Sequence, residues 1–149
     1  MKKFAFPLDR VLSWRHTQVR LAEADLDRLR AEVRALDQRC TDIAQAVDEA
    51  SKQLLGSAVT TAAELGALAH FRTASTAQTA RLAQARAALD QRIQLQIQAV
   101  MDSRREARLL ERLRETRLAT WRADAAREID QLAEESYLAR LARGELRAS

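Results

Sequence analysis

Glycine, proline, cysteine and aromatic residues are all scarce in this 149-residue chain, which has 3 Gly, 1 Pro, 1 Cys and 4% aromatics. So few glycines and one proline leave little room for turns, which argues against a compact domain of many short elements. The shortage of rings removes the bulk that a broad core needs. A single cysteine excludes an internal disulfide, and Cys40 falls where a small apolar side chain packs well in a helix seam. No stretch approaches the roughly 18 uninterrupted apolar residues of a membrane span, and the Met1 to Phe6 arm lacks the apolar run of a signal peptide. A cytoplasmic, rod-like protein is the expectation.

What the chain does have is charge and a repeat. Charged residues make up 31%, with 25 Lys+Arg against 21 Asp+Glu, a net +4. So mild a balance suits a partner with acidic protein surfaces and does not by itself require nucleic acid. From Leu8 to Leu54 a seven-residue repeat is almost unbroken. Its a positions are Leu12, Val19, Leu26, Val33, Cys40, Val47 and Leu54, and its d positions are Leu8, Arg15, Ala22, Leu29, Leu36, Ile43 and Ala50. Only Arg15 interrupts the seam. A 3.5-residue period held this long marks coiled-coil packing, because a helix on a globular core drifts at 3.6.

The punctuation predicts two helices. Pro7 suits a first helical position and Asp9 faces the positive end of the helix dipole, so helix 1 should run from about 7 to 55. Gly56 and Ser57 supply the stop, and Thr61 with Glu64 forms a capping box for helix 2, leaving a turn over 56–61. Nothing breaks the pattern decisively between 62 and about 143. The fold class is therefore all-α: one antiparallel coiled-coil hairpin over 1–149, its second helix overhanging at the C-terminus. Helix 2 has a less regular seam through Leu82, Ala85, Leu89, Ile93, Ile97, Val100, Ala107, Leu110, Leu118, Trp121, Ala125, Ile129 and Leu132, which predicts stutters. With the turn centred near Ala58, residue i pairs with about 117 − i. Helix 2 then overhangs by about 30 residues, roughly 45 Å, or by about 20 if the turn lies later. Leu118, Trp121, Ile129, Leu132, Tyr137, Leu138 and Leu141 would have no helix of the same chain to cover them, and such a face wants a partner.

Catalytic signatures are absent from the sequence: there is no glycine-rich phosphate loop, no Gly-x-Ser-x-Gly and no His-Glu-x-x-His. His16 and His70 stand far apart without cysteine companions, so no metal, cofactor or catalytic residue is expected. The one polar pattern is arginine. Arg104, Arg108 and Arg112 form an i, i+4, i+8 stripe that Arg105, Arg114, Arg117 and Arg122 extend around the helix, with Glu106, Glu111 and Glu115 among them. Lys2, Lys3, Arg10 and Arg15 should gather at the same open end with Arg117, Trp121 and Arg122, offering cations beside uncovered apolar surface to a partner. At the other end, Leu68, His70 and Phe71 form an apolar group off the seam and make a second candidate contact. Trp14 is a further aromatic off the seam.

The opening Met1-Lys2-Lys3-Phe4-Ala5-Phe6-Pro7-Leu8-Asp9-Arg10-Val11-Leu12, running into an uninterrupted coil, resembles the FliJ family of flagellar type III export proteins. The Leu8, Val11, Leu12 step, the break at Gly56, the Glu64-Leu65 step and an Arg- and Glu-rich second helix with Arg127-Glu128 and Glu134-Glu135 carry the likeness; Ile129, Leu132 and Ala133 stand among the terminal acids. The resemblance implies an antiparallel coiled-coil stalk similar to the γ shaft of rotary ATP synthases. It also implies a non-enzymatic accessory protein that associates with the hexameric export ATPase, the export gate membrane protein and export chaperones, peripherally at the inner membrane. On that reading the open end meets the ATPase and the tip group meets the gate. Stalk proteins of virulence type III secretion share the layout. A nucleic-acid-binding coiled coil and a homodimeric scaffold are the readings from other classes; against the former stand the interspersed acids and the lack of stacking aromatics.

Overall fold

The computed structural model describes residues 3–144. It consists of two α-helices, α1 (Asp9–Leu55) and α2 (Ala62–Ala142), packed antiparallel as a coiled-coil hairpin. No strand occurs among the described residues. Pro7 and Leu8 form a turn ahead of α1, closed by the Asp9 amide donating to the Phe6 carbonyl at 3.2 Å. The chain divides into two compact units, Val19–Asp102 and the remainder.

In the Val19–Asp102 unit the hairpin turns. α1 ends with the Gly56 amide bonded to the Lys52 carbonyl at 2.9 Å and the Ser57 amide to Leu54 at 3.3 Å, a tightened final turn. A Cβ on Gly56 would lie 3.1 Å from that Lys52 oxygen, so glycine here permits a close approach. Helix α2 starts under a reciprocal cap: the Thr61 amide donates to Glu64 Oε2 at 2.8 Å and the Glu64 amide to Thr61 Oγ1 at 3.3 Å. The Thr61 amide, and secondarily its hydroxyl, hold the Glu64 carboxyl below its usual range.

Leu26, Leu29, Leu89 and Val100 are the buried apolar residues of this unit, and every assigned a and d position of α1 within it is buried or half-buried. On α2 the inward residues Leu68, Ser75, Leu82, Leu89 and Gln96 fall at strict sevens. Polar groups complete this interface. Buried Ser51 donates to the Val47 carbonyl at 2.7 Å and accepts from Arg72 at 2.8 Å, and the Gln96 amide donates to the Ala22 carbonyl at 2.9 Å. Across the helices Arg86 pairs with Asp37, whose carboxylate raises the guanidinium pKa further.

The second unit holds the open end. Phe6, Leu12, Ala107 and Ala125 are buried, and Arg114 pairs with Asp9 at 3.3 Å. Arg15, at its d position, is half-buried and pairs with Glu106; His16 contacts Glu111 at 2.7 Å.

Three sequence expectations are corrected. In the pairs Asp37–Arg86, Ser51–Arg72, Asp9–Arg114 and Phe6–Arg117 the two numbers total 123, not 117. The turn centre lies later because residues 62–67 are all exposed and α2 first faces α1 at Leu68. The inward row of α2 is also more regular than its apolar residues suggest: it keeps sevens to Ser103 and Leu110, then steps by one residue to Glu111, Leu118 and Ala125. Ala85 is exposed and does not belong to it, while Ile129 and Leu132 prolong it past Ala125 and are exposed, as expected of the overhang. Finally, Leu118 and Trp121 are half-buried, because the N-terminal arm covers this part of α2.

Candidate binding surfaces

The open end is built by the arm ahead of α1. Pro7 and the turn after it carry Phe6 inward to 4% exposure, with the Arg117 guanidinium 5.9 Å from its ring centroid, while Phe4 meets Trp121 at 5.9 Å with rings tilted by 56°. The Arg117 geometry is a cation–π contact, and the Phe4–Trp121 geometry is a tilted ring pair. Arg15 has two partners, the Glu106 carboxylate and the Trp14 ring at 4.7 Å. Of the cations and aromatic assigned to this end, Arg15, Arg117 and Trp121 are thus engaged within the chain, whereas Lys3, Arg10 and Arg122 are exposed. Lys2 lies outside the described residues. Arg104, Arg105, Arg108 and Arg112 are all exposed on α2.

Beyond Ala125 no residue of α2 is buried. The stretch 126–142 is exposed throughout, about 25 Å of helix at 1.5 Å per residue. Ile129, Leu132, Ser136 and Ala139 follow Ala125 at i+4, i+7, i+11 and i+14, so the stripe that packs lower down continues here uncovered. Glu128 and Glu135 run along one edge of it.

At the turn, Leu54, Ala67, Leu68 and Phe71 line a shallow groove that Glu64 borders. Leu68 belongs to the inward row and Phe71 is 39% exposed, but His70 is exposed and outside the groove. The three residues are therefore not one cluster off the seam. Sequence reasoning missed Leu55, Val59 and Leu65, all exposed at this end and outside any heptad position. At the open end it missed Val11, Leu109 and Leu113, whose exposure follows from their places outside the inward rows.

Cys40 is half-buried in the seam. Among the described residues no three His, Cys, Asp or Glu side chains converge as metal ligands would, and no helix is long and apolar enough to cross a membrane. No family model matches the chain, and no curated protein or solved structure matches it.

Proposed function

We propose that this chain is a non-catalytic stalk of a type III protein export apparatus. Its open end associates with the hexameric export ATPase, and its turn end with the export gate. The observation that carries the reading is the α2 overhang, an amphipathic helix whose apolar stripe continues past Ala125 without a partner among the described residues. A single projecting helix suits the axial hole of a ring, where charged loops can hold it without a fixed two-fold interface. The exposed cations Lys3, Arg10 and Arg122 beside it favour acidic loops on that ring. The flagellar assignment rests on the resemblance of residues 1–12 to the FliJ family.

The test is truncation after Ala125, which removes the overhang and leaves the arm and its contacts in place. Purified export ATPase should be stimulated by the full chain and much less by the truncated one. Full stimulation by the truncated chain would place the ATPase contact elsewhere. DNA binding without any ATPase effect would replace the proposal with a nucleic-acid function.

A further inference from the structure

Two unsatisfied surfaces of opposite charge occur on the open-end unit. The first is a flank of the hairpin. Register places Trp14 beside Leu109 and Val11 beside Leu113, and all four lie on the side marked by the Arg15–Glu106 pair: Leu109 and Leu113 follow Glu106 at i+3 and i+7, and Val11 precedes Arg15 by four. They are strongly exposed for their size, Trp14 at 52% and Leu109 at 60%. Exposed Arg10, Arg105 and Arg112 border them. Two apolar rows with helix spacing, on adjacent helices, offer an exposed face to a third helix, and the arginines select an acidic one.

The second surface is the overhang itself. It carries Glu128, Asp130, Glu134 and Glu135 against Arg127 and Arg140, and Arg127 already pairs with Asp124 at 3.4 Å. Ile129 and Leu132 on its stripe are 56% and 63% exposed.

The overhang cannot reach the flank of its own chain. α2 is unbroken to Ala142, and Leu113 and Ile129 are about 24 Å apart along it at 1.5 Å per residue. We infer that the acidic overhang of one copy docks on the basic, Trp14-centred flank of a second copy. Ile129 and Leu132 pack on that apolar face, and Glu128 and Glu135 meet Arg105 and Arg112. This contact goes beyond the stalk function and covers the same overhang, so a self-associated chain would withhold it from any other partner.

The experiment is sedimentation equilibrium of the full chain over a wide concentration range at low and high salt. The low-salt mass should exceed one chain and fall toward one chain as salt screens the charges. Arg105→Glu with Arg112→Glu should weaken association about tenfold or more, as should Glu128→Arg with Glu135→Arg, because like charges then face each other. Mixing the two variants restores a complementary pair and should recover association. Circular dichroism checks that both remain helical. In a Trp121→Phe background, Trp14 emission should shift to the blue on association. A single-chain mass under all conditions overturns the inference, as does association that survives either reversal or a mixture that stays dissociated.

Discussion

Phe4 packs on Trp121 across the open end of the hairpin, 5.9 Å between ring centroids, so the first described residues of the chain clasp α2 where α1 has already ended. Buried Phe6 sits under the same clasp. Phe6→Ala should cost about 3 kcal/mol, the usual loss for removing a buried ring. Trp121 emission should move to the red as the arm loosens, and chemical denaturation followed by that emission measures both effects. An unchanged midpoint would mean that the arm contributes nothing to stability.

Leu29 is buried at a d position, and Arg28 beside it is exposed. Leu29→Asp places an unpaired charge in the seam and should destabilise by on the order of 3 kcal/mol. Exposed Arg28 pairs with Asp25, one turn away on the same helix, so Arg28→Gln should shift the melting temperature hardly at all. Equal melting of the two variants would refute the register.

The cap at the start of α2 gives a pH dependence of known sign. Hydrogen bonding to Thr61 lowers the Glu64 pKa from 4.5, so the folded state binds that proton less readily than the unfolded chain. Its contribution is therefore present above the unfolded value and fades as pH falls through the depressed folded value. Glu64→Ala should lower the melting temperature at neutral pH, and the gap from the unaltered chain should narrow on acidification. A gap constant with pH would show that the carboxylate is not the stabilising group.

Phe71 lines the groove at the turn end without taking part in the inward row. On the stalk proposal, Phe71→Ala should leave helical content unchanged, weaken capture of the export gate and spare stimulation of the ATPase. Normal binding to every partner would reduce Phe71 to local packing.

The α1 seam was legible in the sequence because nearly every inward position is apolar, so the period of seven is visible in Leu12, Val19, Leu26 and Val33. The α2 seam was legible only in part, for a physical reason: Leu82, Leu89, Ile93, Ile97, Val100, Ala107, Leu110, Leu118 and Ala125 are buried or half-buried as expected, but the polar members of the row were missed. Its row includes Ser75, Gln96 and Ser103, and at least Gln96 is tolerated there because its amide bonds to a backbone carbonyl on α1. Apolar content therefore placed exposed Ala85 in the row and passed over its polar members. The overhang was foreseen, but not that Phe4 and Phe6 would fold over its root, since nothing in an irregular arm fixes its direction. Arg15 was foreseen as a d-position residue offered to a partner at the open end, but not its pairing with Glu106, whose place depended on the register.

The cross-helix bonds also order the folding of the hairpin. Ser51 and Arg72 are 21 residues apart in sequence, Asp37 and Arg86 49, Ala22 and Gln96 74, and Arg15 and Glu106 91. Closing the longest span first carries an added entropic cost, about 0.6 kcal/mol for each doubling of loop length, while closing outward from the turn avoids most of it. The hairpin should therefore zip from Ser51 and Arg72 toward Arg15 and Glu106, and unzip in reverse. The clasp of Phe4 on Trp121 closes last and frays first, which leaves the surfaces beside it the readiest of the chain to exchange partners.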